Sequence, residues 1–465
     1  MLESAEDSWQ VQVNEMGFRA PILPDLADGD DFDIYLAPIG GGYAYVTADE
    51  WPYVDPLPGD GFNGASSYMV VDQGLPVPWI PGFISHEFQH TTQYATDYSE
   101  FTFPIWESVA TAAQQWTLGW PDSEWDYDIR GFQNVPWAPT VLANQSFLPY
   151  PDAYNYEYGG ALWVMHLDRW YGADDGQLGV ALWLNAAQEG YPNEPDVVDA
   201  IEATAGVPIA GFLNSLALQR WIVGPNWDSR GLVEAEGWVD KDVPPSAVLD
   251  APVLPTSWAP VAPLVPMILG QAFGQVNGLT GLDPTKNVRF EVSSAAGNVS
   301  GIVVMTWATG GGVGDAMADG VNPVVEVPAA DLDHVVIGLS NGGPVGWDGD
   351  ENPMTAGDQI VNISLVDPPA TTGTGGTAGS GGSGGAGGSG GTGGTGGTGG
   401  TTETNGTGGT GAGSGSETDD NADPDEMTDG GSCNCDQGSA PTSGLWGLGL
   451  ALLLVRRRHW PQTVG

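Results

Sequence analysis

The chain has 465 residues, 59 of them acidic and 11 basic, for a formal net charge of -48. Three of the basic residues, Arg456, Arg457 and Arg458, sit together near the C-terminus, so few cations remain upstream. That excludes a nucleic-acid binder, which must neutralise a phosphate backbone with Lys and Arg. Both cysteines, Cys433 and Cys435, also lie near the end, which excludes a disulfide or a thiolate metal site from everything before them.

Composition changes sharply along the chain and divides it into four parts. Residues 1–242 hold 14 of the 19 Trp, ample aromatic area for a sizeable core. Residues 243–367 form a smaller unit, 368–432 a Gly/Thr/Ser-rich and finally acidic flexible linker, and 433–465 a tail. The start, MLESAEDSWQVQV, has neither a basic beginning nor an apolar run, so no signal peptide is visible.

In chain order, Asp33 to Tyr45 alternates apolar and polar residues around a Gly cluster and predicts a hairpin. Ser66 to Asp72 predicts a strand, which lies either at a sheet edge, where an extended peptide could pair with it, or in the sheet interior with no such role. Pro81-Gly82 interrupts the chain before a helix from about Phe83 to Asp97. A second helix opens near Pro104, since Pro is favoured in the first turn, and runs through WESVATAAQQW. Further helices are predicted over 159–171, 177–188, 195–204 and 208–222. The runs Val288–Val292, Gly301–Trp307, Val324–Val327, His334–Leu339 and Gln359–Leu365 read as strands of a small all-β sandwich. The expected fold is therefore α+β, a small N-terminal sheet and a mostly helical half, followed by a β unit and a disordered linker.

His86 and His90 are four apart in HEFQH, so on a helix they project from one face and can both offer an imidazole nitrogen to one metal ion. Glu87 is offset by one position, beside the metal, where it can take a proton from an activated water. Two ligands do not make a catalytic zinc site; a third is needed, with a fourth position left open. Glu107, on the helix opening at Pro104, is the candidate, because two helices joined by a short loop pack antiparallel.

HEFQH followed by IWESVA resembles the HExxH and later glutamate segment of gluzincin-type zinc metallopeptidases. The resemblance implies a zincin-like catalytic domain with one catalytic Zn2+ held by His86, His90 and Glu107, and Glu87 as general base. The segment Tyr156-Glu157-Tyr158-Gly159-Gly160-Ala161-Leu162 is similar to a Y-E-K-G-x-A-L segment of M1-like enzymes. That likeness implies an oxyanion-stabilising role for Tyr156, with Tyr154 and Tyr158 as alternatives.

The tail carries Cys433 and Cys435, then the apolar run Gly444–Val455, then the arginines. Twelve apolar residues are short of the roughly 20 a spanning helix needs. The arrangement resembles a myxobacterial-type C-terminal sorting tail, which implies export and an extracellular, surface-anchored protein whose tail engages the membrane or sorting machinery. With no signal peptide visible, a truncated start is expected.

Plainer readings compete with several of these. His166 reads as a packed helix residue and His334 as structural or exposed. The acidic runs Asp25–Asp33 and Asp348–Glu351 have the carboxylate density of calcium loops but no defined loop spacing. They are read as solvated turns, with Ca2+ as a subordinate possibility. The expected function is hydrolysis of a protein or peptide substrate, with a lean to endopeptidase action. The alternatives are a non-catalytic surface adhesin on the same scaffold and a zinc hydrolase of non-peptide substrates.

Overall fold

The computed structural model of the chain describes residues 1–369 apart from 24–31, 40–42, 49–56, 58, 101, 120–122, 144–147, 149–150, 188–195, 233, 239–241 and 348–352. The tail reading, all but the first two residues of the linker and all but the last two residues of the acidic run at Asp25–Asp33 lie outside the described residues, as does the run at Asp348–Glu351.

The chain opens with α1 (Leu2–Ser8), continued through Trp9–Met16 in wider π-helical turns. Gly17 stops it at φ 98°, a left-handed cap that glycine takes without steric cost. Gln12 on those turns is buried and donates to Ser85 O and Ser85 Oγ at 2.9 and 3.1 Å and to Thr117 Oγ1 at 3.2 Å.

Three short strands follow, β1 (Ile34–Ala37), β2 (Ala44–Ala48) and β3 (Ser67–Asp72), in the order β1-β3-β2. Strand β1 runs parallel to β3 and β2 antiparallel to it. One expectation fails here, since the Asp33–Tyr45 segment forms no hairpin; of the two readings of β3, the strand order gives the interior one. The reason is burial on both faces. Met69, Val70 and Val71 are consecutive and all buried, and such a continuous apolar run belongs in the middle of a sheet. In β1 Leu36 is exposed, which suits an edge.

Helices α2 (Ile80–Thr96) and α3 (Phe103–Leu118) each carry Pro in the first turn, where its missing N–H costs nothing. They pack together and are followed by α4 (Ser123–Asn134), α5 (Tyr156–Gly159), α6 (Ala161–Tyr171), α7 (Gln177–Ala186), α8 (Val197–Ala205) and α9 (Ile209–Trp221). Among the described residues no single helix is long and apolar enough to cross a membrane.

The remaining strands are β4 (Ala247–Asp250), β5 (Thr256–Trp258), β6 (Gln271–Asn277), β7 (Asn287–Ser293), β8 (Val299–Ala308), β9 (Val313–Val321), β10 (Val324–Pro328), β11 (Leu332–Gly343) and β12 (Ile360–Val366). They form one sheet ordered β10-β7-β12-β5 and another ordered β4-β6-β11-β8-β9. Both supply one core: Phe290, Val292, Val361 and Ile363 from the first, Ile302, Val304, Ile337 and Leu339 from the second. In the second sheet, the residues alternating with these in β8 and β11 turn the other way. Val303, Met305 and Val336 meet Ala217, Leu218 and Trp221 of α9. The period of two along a strand thus gives the sheet a second buried face, and α9 covers it.

Close approach of α9 depends on small residues. A Cβ at Gly301 would stand 2.8 Å from Ala210 O and collide with the Asn214 amide, and one at Gly338 would stand 3.0 Å from Ala217 Cβ. The buried Arg220 adds a polar tie. Its Nε donates to Gln133 Oε1 at 3.0 Å, Nη2 to Phe132 O at 2.5 Å and Nη1 to Gln271 Oε1 at 3.4 Å, while its guanidinium lies over the Phe132 ring. Residues 1–368 group as one compact unit.

Candidate metal centre

Helix α2 is buried on every side from Gly82 to Thr96, although nine of those residues are polar. Its threonines satisfy themselves locally. The hydroxyls of Thr91, Thr92 and Thr96 donate to the carbonyls of Phe88, Gln89 and Thr92 at 2.6, 2.8 and 2.9 Å. The histidines instead turn toward α3. His86 Nε2 lies 3.1 Å from His90 Nε2 and 3.0 Å from Glu107 Oε2, and His90 Nε2 lies 3.5 Å from the same oxygen.

Three potential ligand atoms thus converge within 4.8 Å of one another on fully buried side chains, and the group could hold a metal ion. Two nitrogens bound tetrahedrally to zinc lie roughly 3.3 Å apart, close to the separation found here. Glu107 Oε1 is buried without a hydrogen-bond partner. A buried carboxylate oxygen in that condition is costly unless a cation or a water meets it. The residues present therefore fit a divalent cation with borderline or hard preferences.

The electrostatics agree with a cation-binding role. Burial alone would raise the Glu107 pKa, but His90 and His86 beside it hold the carboxyl down at about 2. Burial likewise works against a charge on His90, yet Glu107, the nearby Glu87 and Gln93 together raise its pKa. Glu87, also fully buried, lies close enough to His90 to act on its charge.

Residues around the triad fix its orientation. Gln93 Oε1 is 2.7 Å from His90 Nδ1 and Gln93 Nε2 donates to Trp106 O at 3.1 Å. Thr111 Oγ1 stands 3.5 Å from His86 Nδ1. Ser108 Oγ donates to Glu157 O at 2.7 Å and accepts from Trp163 Nε1 at 3.2 Å, clamping α5 and α6 onto the helix of Glu107. Gly160 leaves room for that hydroxyl, since a Cβ there would collide with it.

Through this clamp the Tyr158 ring comes to 5.7 Å from the His86 ring, tilted by 31°. Tyr156 goes elsewhere. Its hydroxyl is 3.4 and 3.5 Å from Ala138 O and Pro139 O, its ring meets Phe132 at 5.0 Å, and burial pushes its pKa up to about 12 against the pull of Arg220. The structure thus brings together His86, Glu87, His90 and Glu107, and sets Tyr158 rather than Tyr156 beside them.

Sequence reasoning passed over Gln93, Thr111 and Ser108. Two of them had a signal: Gln93 is three residues after His90 and Thr111 four after Glu107, so each shares a helix face with a ligand. His166 is buried in α6, with Nε2 2.8 Å from Ser215 Oγ, and burial lowers its pKa to about 3. It is a neutral, packed histidine. His334 is partly exposed and stacks on Trp307 with ring centroids 4.8 Å apart. No protein-family model matches the chain, and none of the curated proteins matches it in sequence.

Proposed function

We propose that the chain is a zinc-dependent hydrolase that cleaves peptide bonds. The observation that carries this reading is the buried His86, His90 and Glu107 triad, with an orphaned carboxylate oxygen and a second buried carboxylate, Glu87, one residue from a ligand. Two imidazoles and one carboxylate are the donor set of many catalytic zinc sites. A zinc ion bound there supplies a Lewis acid that polarises a carbonyl and makes a water acidic near neutral pH.

Glu87, buried one residue from a ligand, would take up a proton from the attacking water and return it to the leaving amine. Tyr158, whose ring lies 5.7 Å from that of His86, would donate a hydrogen bond to the developing oxyanion. The choice of a peptide bond rests on the resemblance of HEFQH, IWESVA and YEYGGAL, in that order, to gluzincin peptidases. Export and surface attachment rest on the layout of Cys433, the Gly444–Val455 run and the terminal arginines.

The deciding experiment pairs zinc analysis with cleavage of an unselective protein substrate in wild type and Glu87→Gln. Stoichiometric zinc in both with cleavage lost only in the variant is the expected result. Zinc in both without cleavage in either favours the rival surface-binding role or a non-peptide substrate, and absence of zinc from both overturns the metal reading.

A further inference from the structure

The hydrogen bonds of Gln93 determine which nitrogen of His90 faces the triad. A side-chain amide can be turned either way, so its orientation has to come from its partners. Here one partner settles it. The Trp106 carbonyl can only accept, so the NH2 of Gln93 must face it, at 3.1 Å. Oε1 is then the atom 2.7 Å from His90 Nδ1, and because that oxygen can only accept, Nδ1 must carry a proton. When the ring is neutral, as a metal ligand must be, its lone pair is therefore on Nε2, the atom that points at His86 and Glu107.

From this we propose that Gln93 is a positioning residue for metal binding, holding His90 in the Nδ1–H tautomer and tying it to α3 one residue before Glu107. The proposal rests on the metal reading of the triad. A single side chain then sets the orientation of a ligand on one helix and its distance from a ligand on the next. All three residues are fully buried, so no solvent substitutes for the amide. The partner is also neutral. A carboxylate in the same place would make the imidazole more basic, whereas an amide orients it with less effect on its charge.

The test uses the full-length chain, stripped of metal with a chelator and titrated with Co2+ and with buffered Zn2+. Its readouts are the cobalt visible spectrum and the dissociation constants of wild type, Gln93→Leu and Gln93→Glu. Imidazole 15N NMR of the zinc-loaded wild type reads the tautomer directly, helped by there being five histidines in the chain. Expected are a proton on Nδ1 and metal on Nε2 of His90. Metal affinity should fall about 10- to 100-fold in Gln93→Leu, as for other outer-shell partners, with an altered cobalt spectrum and an unchanged circular dichroism spectrum. Gln93→Glu, which keeps an acceptor for Nδ1–H, should recover most of the loss.

Equal affinity and spectrum in wild type and Gln93→Leu, no recovery in Gln93→Glu, or Nδ1 of His90 as the bound nitrogen overturns the proposal while leaving the metal site intact. Failure of the wild type to bind either metal overturns both. If Gln93→Leu does not fold, the NMR of the wild type decides alone.

Discussion

Tyr158 and His86 face each other across the junction of α5 and α2, with ring centroids 5.7 Å apart, while Tyr156, two residues earlier, turns its hydroxyl to the Ala138 and Pro139 carbonyls. The two tyrosines should therefore separate in function. Tyr158→Phe is expected to lower kcat by about 10²–10³ with zinc retained, the range for loss of one oxyanion donor. Tyr156→Phe should leave kcat near wild type and cost about 1 kcal/mol of stability from its lost hydrogen bonds. Steady-state kinetics with zinc analysis on both variants checks this, and the reverse pattern would return the role to Tyr156.

Metal removal should destabilise the fold as well as silence it. The triad joins α2 to α3, and an ion that binds only the folded state stabilises it by about 4 kcal/mol at 1,000 times its dissociation constant. Thermal unfolding with graded free zinc should show a rising midpoint in wild type. The shift should vanish in Glu107→Gln, where the carboxylate ligand is gone. An equal shift in that variant would mean the zinc effect arises elsewhere.

Acid should act through His166. Its pKa is lowered from 6.5 in water to about 3 by burial, so below pH 6.5 the unfolded chain takes up a proton that the folded one refuses. The stability this neutral ring provides is complete above pH 6.5 and is lost as pH falls toward 3, by up to about 1.4 kcal/mol per pH unit. Asp196 acts in the opposite sense: burial first raises its pKa to about 6, so its effect grows as pH rises from 3.8. The comparison that isolates His166 is urea unfolding of wild type and His166→Gln between pH 7 and 4. The variant should have the flatter pH dependence, and parallel curves would contradict the burial argument.

Glycine replacements test the seam between α9 and the sheet. Gly301→Ala forces a methyl against Ala210 O and Asn214 and is expected to destabilise by about 1–3 kcal/mol, the usual cost of overpacking. Gly310→Ala, where a Cβ meets nothing within 4 Å, should be near neutral. Chemical denaturation of the pair measures the difference, and equal midpoints would mean α9 yields more readily than its contacts imply.

Much of the helical half could be read from the sequence because its signals are local. Pro104 marked the first turn of the helix observed at Phe103–Leu118, and the stretches near 177, 195 and 208 correspond to α7, α8 and α9, whereas Pro81, read as an interruption before a helix from about Phe83, lies inside the first turn of Ile80–Thr96. Helix α1 gave little sign of itself. Its Glu3, Glu6 and Asp7 make it polar, and the turns that continue it are held by Gln12 reaching residues 73 and 105 positions away. The strands β4, β5, β6 and β9 were also passed over. Strand β9, VGDAMADGV, alternates exposed and partly buried residues at a sheet edge, and Gly and Asp there read as turn residues until the pairing with β8 is seen.

What the sequence determined by itself was the chemistry on one helix face: 3.6 residues per turn place His86 and His90 together whatever surrounds them. It also determined the scarcity of cations and the split between an aromatic-rich front and a glycine-rich end. The tertiary structure alone decided where β3 sits in its sheet, which tyrosine meets His86, and that α9 covers the second face of the β8 and β11 sheet. Those outcomes depend on which of several apolar surfaces pair most completely and on hydrogen bonds between residues far apart in the chain. Gln93 stands between the two cases: its helix face was legible from spacing, and its meaning came only with the Trp106 carbonyl, which fixes the amide and through it the proton on His90.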